Sequence, residues 1–198
     1  MFLSPTGFIF VHNPKAAGTT VRLQLEEQIP GGQSLKGYQV FADRVRDLAH
    51  VPLWLWKETN PEVWEAIGTN GIVITRHPYE RAVSSFVHAV RVFRDRNQPF
   101  PFETIGEFLK EAPTSDSELL AHAQPQHWFV CDRREAFVPN ILRLEEIQGA
   151  MIIVPGAEID LTVRENDQEI QNPELSDGLK KLVREAYEKD FELLGYEP

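Results

Sequence analysis

The sequence predicts an α/β fold built on a parallel sheet. The prediction depends on two short apolar runs, residues 8–11 and 71–75, which are rich in β-branched and aromatic side chains and have the length of buried strands. Each run is followed by a polar loop and then by a segment with helical spacing. A strand, a loop and a helix that occur twice in one short chain are typical of parallel α/β architecture.

The first of these units begins with the strand at 8–11 and continues through the loop at 12–20. Apolar residues then recur at every fourth position, at Val21, Leu25 and Ile29. This spacing predicts a helix that begins near Gly18 and ends at Pro30-Gly31-Gly32.

The second strand–loop–helix segment joins the strand at 71–75 to a helix at 80–96, whose apolar residues follow helical spacing. The remaining predicted elements are a short helix with a strand or turn within 40–51, a short helix at 61–67, a helical piece at 105–111, a helical or irregular segment at 119–132, a strand around 140–144 and a helix over 175–194 that Gly195 caps.

Length and composition indicate one soluble globular domain. The chain has 198 residues, 42% of them hydrophobic, and a single cysteine, Cys131, which excludes an internal disulfide framework. No apolar run approaches the roughly 20 residues of a membrane span, and no secretory signal is visible at the start. We therefore expect a single domain over 1–198, with a lid or insertion around 97–118, in the cytoplasm.

The charge is divided unevenly along the chain. Residues 1–100 carry 11 basic and 9 acidic residues, whereas residues 101–198 carry 9 basic and 21 acidic ones, which together give the net charge of −10. Such an acidic protein is a poor general binder of nucleic acid, since neutralising phosphates needs a basic surface. A few converging cations in the first half can still bind a small anion.

The loop at 12–20 has the features of an anion site. The start of a helix offers unpaired N–H groups and a partial positive charge, Lys15 adds a full charge, and Gly18 allows close approach of the main chain. Thr19 and Thr20 add hydroxyl donors. The ATP-binding pattern Gly-x-x-x-x-Gly-Lys-Ser/Thr does not fit, because the lysine precedes the glycine. The alternative is an ordinary strand-to-helix turn with a surface lysine.

The loop at 76–84 is a second candidate. Arg76 leaves a buried strand and can bind a phosphate through two hydrogen bonds, and Ser84 adds a hydroxyl one turn into the next helix. Helix capping with surface arginines is the alternative. Two such units in one small domain favour a ligand with two separate anionic ends.

These motifs resemble those of sulfotransferases that use PAPS (3′-phosphoadenosine 5′-phosphosulfate). The segment Lys15 to Thr20, KAAGTT, resembles their 5′-phosphosulfate loop, and the segment Arg76 to Ser84, RHPYERAVS, resembles their 3′-phosphate motif. The segments Gln124-Pro125-Gln126, Leu142-Arg143-Leu144-Glu145, Tyr187-Glu188-Lys189-Asp190-Phe191 and Leu194-Gly195-Tyr196 resemble the carbohydrate branch.

The resemblance implies a P-loop-like, three-layer α/β fold and transfer of a sulfuryl group from PAPS to a hydroxyl or amine. Lys15, Ala17, Gly18, Thr19 and Thr20 would hold the 5′-phosphosulfate. Arg76 and Ser84 would hold the 3′-phosphate. No metal is expected, since the transferred sulfuryl group carries less charge than a terminal phosphoryl group and the six histidines lack the paired spacing of metal ligands.

His50 is the predicted catalytic base, with Lys15 as the residue that stabilises developing charge. His50 stands 26 residues before Arg76. This placement resembles that of the base histidine in the heparan sulfate 2-O-sulfotransferase type, which precedes the 3′-phosphate arginine by a similar distance, and the chain resembles a bacterial form of that type. The alternative is a structural histidine. His12, within the loop, is expected to order the loop.

The acceptor residues suggested by the sequence are Trp54, His122 and Gln126. Trp54 and Trp56 share strand parity just after His50, and tryptophan faces stack on sugar rings, although a core role is the alternative. A carbohydrate or another small alcohol is the expected acceptor. The oligomeric state is left open.

Two other functions remain at this point. A P-loop nucleotide kinase or NTPase would need Gly-Lys-Ser/Thr and a strand ending in Asp for magnesium, whereas this strand ends at Thr75-Arg76. A non-catalytic nucleotide-binding protein on the same fold would bind the nucleotide and transfer nothing.

Overall fold

The structure, a computed structural model, describes residues 1–42, 44–162 and 173–198. Among these residues the strands are β1 (Phe2–Leu3), β2 (Ile9–Val11), β3 (Gln33–Ser34), β4 (Tyr38–Phe41), β5 (Arg44–Asp47), β6 (Gly71–Thr75), β7 (Asn140–Arg143), β8 (Met151–Val154) and β9 (Ala157–Asp160). The α-helices are α1 (Gly18–Gln28), α2 (Leu53–Thr59), α3 (Pro61–Asn70), α4 (Pro78–Asp95), α5 (Ile105–Glu111), α6 (Leu144–Ile147), α7 (Asp177–Ala186) and α8 (Glu188–Leu194). Short 3₁₀ helices span Leu48–His50, Ala112–Thr114, Glu118–Ala123 and Gln126–Phe129.

The described residues form two compact units. The first comprises 1–42, 44–75 and 128–162, and the second comprises 76–127 and 173–198. The central sheet belongs to the first unit, and α4, α5, α7 and α8 belong to the second. The single domain over 1–198 stays a prediction, and its residues 43 and 163–172 lie outside the described ones.

The central sheet has the strand order β3-β1-β2-β6-β7. Its three core strands run parallel, with Val11 opposite Val73 and Ile74 opposite Leu142, while β1 is antiparallel to both of its neighbours. Helix α3 packs on β2 and β6. A mixed α/β fold with a central, mostly parallel sheet flanked by helices is therefore confirmed. The three-layer, P-loop-like description stays a prediction.

Helix α1 is fixed to the first unit by apolar and polar contacts. Val21 and Leu25 are buried in a core that also contains Phe10, Ile74 and Ile159. On a neighbouring face of α1, two glutamines pair with the main chain of β9. Gln24 exchanges hydrogen bonds of 2.9 and 2.7 Å with Asp160, and Gln28 exchanges bonds of 2.7 and 2.9 Å with Glu158. These amide pairs satisfy main-chain groups of a two-stranded edge and hold the helix that follows the loop.

Most of the predicted elements are present. The strands at 8–11 and 71–75 correspond to β2 and β6, and the helix beginning at Gly18 is α1. The helices at 61–67, 80–96 and 105–111 correspond to α3, α4 and α5. The strand around 140–144 is β7. These segments combine long apolar patterns with clear ends, such as Pro61 at the first helical position.

Three local predictions are wrong in part. Among the described residues of 40–51, the predicted strand and the predicted turn at His50 are present, but the predicted short helix is replaced by the antiparallel pair β4–β5. The helix over 175–194 is interrupted at Tyr187, where φ is −126° and ψ is 30°. Trp54 and Trp56 lie on helix α2 rather than on a strand, so they point in different directions; Trp56 is buried.

The segment at 97–118 packs through aromatic side chains of the second unit. Phe100 lies against Phe86 and Phe93, with ring centroids 5.7 and 5.5 Å apart, and Phe102 lies against the fully buried Phe108. The lid or insertion stays a prediction. Among the described residues, no helix combines the length and apolarity needed to cross a membrane.

Gly68, in helix α3, offers a simple test of local stability. A Cβ atom added there would meet nothing within 4 Å. We expect Gly68→Ala to raise the free energy of unfolding by roughly 0.5–1 kcal/mol, because alanine loses less conformational freedom in a helix. The urea midpoint at unchanged slope is the measurement. Gly31→Ala, equally uncrowded but at φ +84°, should lower the midpoint; a lower midpoint for Gly68→Ala would contradict the helical assignment.

Candidate functional site

The loop between β2 and α1 is fixed by one side-chain hydrogen bond and has an unusual main-chain conformation. Asn13 is buried and its Nδ2 donates to Ile74 O of β6 over 2.9 Å, which joins the start of the loop to the neighbouring strand. Lys15 and Ala17 both adopt left-handed conformations, with φ of 64° and 59°. Non-glycine residues in this region are strained, and such strain is concentrated at ligand sites.

Ala17 is the N-cap residue of α1 and has no side-chain oxygen to accept from the first turn. The first N–H groups of the helix are therefore not capped by that residue, which is the arrangement that anion-binding helix starts use. Thr19 is half-buried and Thr20 is buried in this first turn. The loop can present main-chain N–H groups, hydroxyls and a lysine to an anion.

His12 packs directly against the start of this helix. A Cβ atom at Gly18 would lie 2.4 Å from Cδ2 and 2.6 Å from Nε2 of the His12 ring. Glycine is therefore needed for close packing here rather than for an unusual φ. The role of His12 in ordering the loop stays a prediction.

Burial lowers the pKa of His12 well below its ordinary 6.5, and nearby His50, Arg22 and Lys15 act in the same direction. The imidazole is therefore neutral at pH 7. A neutral ring can lie beside Lys15 and an anion site without adding a competing charge of its own.

His50, the predicted base, contacts the same histidine. The two rings are 5.0 Å apart between centroids and nearly perpendicular, at 87°. His50 ends the 3₁₀ turn that follows β5, and its Nε2 lies 4.0 Å from Oδ2 of Asp47. Asp47 also caps this turn by accepting from Ala49 N over 3.0 Å. Within the first unit, the structure thus connects the loop to His50 through one buried ring.

Arg76 belongs to the second unit and is held by two kinds of contact. Its guanidinium lies 3.0 Å from Oε2 of Glu80, and its main chain pairs with the side chain of Gln126. Ser84 lies on α4, half-buried, within two turns of the helix start. The side chains of Arg76 and Ser84 are carried by the same loop-to-helix segment.

The three predicted acceptor residues have different surroundings. Trp54 carries the Arg133 guanidinium over its ring at 3.8 Å, and Arg133 also pairs with Glu58. His122 lies against His88, with ring centroids 4.0 Å apart. Gln126 is fully buried and uses its side-chain amide on Arg76. Their roles toward an acceptor stay predictions.

Two contributors were not identified from the sequence. Asn13 secures the loop, and buried Asp190 accepts hydrogen bonds from Gln126 and His127. Asp190 lies within one of the C-terminal segments named above, but nothing in that segment shows which residues the carboxylate contacts 63 and 64 positions earlier in the chain.

Lys57 and Asp132 form an ion pair within the first unit, with Asp132 almost fully buried. Over the described ranges, no group of three or more His, Cys, Asp or Glu side chains is placed to hold a metal ion. The expectation that no metal is needed stays a prediction.

One comparison identifies a family. A family model described as the sulfotransferase family matches residues 56–197, which is most of the chain. The match includes Arg76, Ser84, Gln126 and Asp190, whereas the loop at 12–20 and His50 precede it. No curated protein and no solved structure matches the chain.

Proposed function

The chain belongs to the sulfotransferase family, and on that premise we propose that it transfers a sulfuryl group from PAPS to a hydroxyl of a carbohydrate or another small alcohol. The observation that carries this proposal is the loop after β2, with left-handed Lys15 and Ala17 at the uncapped start of α1. A main chain of this shape suits a 5′-phosphosulfate, because it directs N–H groups toward one anion.

The second end of the nucleotide is assigned to Arg76 and Ser84. Strands β2 and β6 are parallel neighbours, and ligands of open α/β sheets bind outside the carboxyl ends of such strands. The loop with Lys15 follows β2 directly, and Arg76 follows β6 directly in the chain. The guanidinium of Arg76 has the planar donor geometry that matches a phosphate, and a phosphate bound there would take the place of its exposed partner Glu80.

The proposed mechanism is in-line transfer with His50 as general base. His50 takes the proton of the acceptor hydroxyl while the acceptor oxygen bonds to sulfur and the bond from sulfur to the 5′-phosphate oxygen breaks. The products are a sulfate ester and 3′,5′-ADP. Lys15 and the N–H groups at the start of α1 stabilise the negative charge that develops on the leaving oxygen. Asp47, 4.0 Å from His50, favours the imidazolium that forms.

The carbohydrate branch is proposed from the resemblance of the C-terminal segments and from Trp54. The ring of Trp54 is shared with Arg133 at 3.8 Å, so a sugar that stacks on this face must first displace the guanidinium. His122 completes the proposed acceptor residues. A heparan sulfate 2-O type of reaction is the more specific form of this proposal.

The function is tested by calorimetric titration of 3′,5′-ADP and of 5′-ADP. Wild type is expected to bind the 3′-phosphorylated nucleotide more tightly. Arg76→Ala should weaken that binding by about tenfold or more, since a charge-assisted phosphate contact is lost, and should leave 5′-ADP binding nearly unchanged.

Arg94→Ala is the matched control, because Arg94 is an exposed arginine on α4, the helix that follows Arg76, and its partner is Asp95. Equal binding of both nucleotides by wild type, or of neither, would contradict the two-anion site. Magnesium-dependent turnover of ATP in the same preparation would instead support a nucleotide kinase or NTPase. Binding of 3′,5′-ADP without sulfuryl transfer to any of a panel of sugars and alcohols would indicate a non-catalytic nucleotide-binding protein.

A further inference from the structure

The main chain of Arg76 forms two hydrogen bonds with the side chain of Gln126, which lies 50 residues later in the chain. Oε1 of Gln126 accepts from Arg76 N over 3.2 Å, and Nε2 of Gln126 donates to Arg76 O over 2.8 Å. The side-chain amide of Gln126 thus pairs with both the N–H and the C=O of the Arg76 main chain, as a neighbouring β-strand would. The side chain of Gln126 is completely buried, which makes it a specific contact rather than a solvated one.

Gln126 is in turn held by Asp190 on α8. Oδ2 of Asp190 accepts from Gln126 N over 2.9 Å, and Oδ1 accepts from both N and Nδ1 of His127, over 2.9 and 2.6 Å. The carboxylate is almost fully buried. A buried charge that accepts three hydrogen bonds fixes the direction of the groups that donate to it.

The surrounding contacts fix the same short segment from other directions. Arg81 is fully buried and its Nη2 donates to Gln124 O over 2.7 Å. Burial lowers the pKa of Arg81, and the nearby charge of Asp190 opposes that shift, so the two buried charges stabilise each other. Tyr187, also on the C-terminal side, donates its hydroxyl to Ala123 O over 2.8 Å.

We propose that Gln126, oriented by Asp190, is a positioning residue that fixes the main chain at Arg76 and thereby sets selectivity for a 3′-phosphorylated nucleotide. The inference rests on the proposed function, in which Arg76 holds the 3′-phosphate. It assigns Gln126 to the donor nucleotide rather than to the acceptor. A guanidinium binds a phosphate through two directed hydrogen bonds. The affinity of Arg76 for the 3′-phosphate therefore depends on where its main chain places the side chain.

The test is the ratio of the dissociation constant of 5′-ADP to that of 3′,5′-ADP, measured by calorimetry. Gln126→Met keeps the length of the side chain and removes both hydrogen bonds to Arg76. We expect it to lower the ratio by about tenfold, chiefly through weaker binding of 3′,5′-ADP. Gln126→Asn, which keeps the amide but is one methylene too short to reach Arg76, should lower the ratio as well and is the second variant if the first does not fold.

Tyr187→Phe is the matched control. It removes one buried hydrogen bond to the same segment, at Ala123, without touching Gln126 or Arg76. We expect it to lower the urea midpoint while leaving the ratio at the wild-type value. If Gln126 contributed to stability alone, its variants would also lower the urea midpoint and leave the ratio of dissociation constants at the wild-type value.

The outcomes separate this inference from the function on which it rests. A wild type that prefers 3′,5′-ADP, with folded Gln126 variants that keep the preference, overturns the positioning role alone. A wild type without the preference overturns both. A preference that is lost in the Gln126 variants and kept in Tyr187→Phe supports the assignment.

Discussion

His50→Ala is expected to lower the rate of sulfuryl transfer to a sugar or alkyl alcohol by about 10²–10⁴-fold, the range measured for loss of a positioned general base. Binding of 3′,5′-ADP should stay near the wild-type value, because His50 is proposed to act on the acceptor and not on the nucleotide. The measurements are single-turnover transfer from PAPS to a panel of monosaccharides and small alcohols, and calorimetric titration of 3′,5′-ADP with the same variant.

The chemistry of the acceptor distinguishes a base from a structural residue. An acceptor that is already ionised at the pH of the assay, such as 4-nitrophenol, needs no base, so the deficit of His50→Ala should shrink with it. If His50 only supported the turn at Leu48–His50, the deficit would be the same for every acceptor. His50→Gln, which retains a polar side chain that accepts no proton at neutral pH, should behave as His50→Ala does. Near-normal turnover of an alkyl alcohol by either variant would show that the base is another residue.

The elements that carry the proposed site were predictable where local pattern and burial agree. Strands β2 and β6 are short continuous apolar runs, and each is buried over its whole length. The pair β4–β5 was missed because its apolar residues are exposed: Val40 is 77% exposed and Val45 is 53% exposed. When the apolar residues of a segment do not form one buried face, their spacing in the sequence does not indicate whether the segment is a strand or a helix. The break at Tyr187 was hidden since the apolar spacing continues through it from α7 to α8.

The candidate site was predictable only in its local parts. The lysine, the glycine and the threonines of the loop are neighbours in sequence, so their chemistry is visible there. The contact of Gln126 with Arg76 spans 50 residues, and that of Asp190 with Gln126 spans 64. No local propensity specifies such contacts, because they arise when separate elements pack together. Gln126 was accordingly assigned to the acceptor by its motif, whereas the geometry favours a role at Arg76.

Gly18→Ala is the other substitution for which we expect a large effect. The new Cβ would lie 2.4 Å from the His12 ring, which is itself buried against His50 and cannot move outward freely. Either the start of α1 or the ring must shift. We expect a loss of roughly 1–3 kcal/mol in the free energy of unfolding, as is usual for overpacking. Binding of 3′,5′-ADP and of 5′-ADP should fall together, since the 5′ end is common to both.

The double variant His12→Ala with Gly18→Ala shows whether the ring is the cause. Removing the imidazole clears the space that the Cβ needs. The double variant should therefore lose less free energy of unfolding than the two single variants together, with a coupling of about 1 kcal/mol or more. Gly68→Ala, which crowds nothing, supplies the comparison for the change from glycine to alanine. Additive effects would mean that Gly18 is required by the helix start itself. A positive coupling accompanied by recovered nucleotide binding would show that His12 sets how closely the loop and the first turn approach each other, which is the spacing on which the proposed 5′-phosphosulfate site depends.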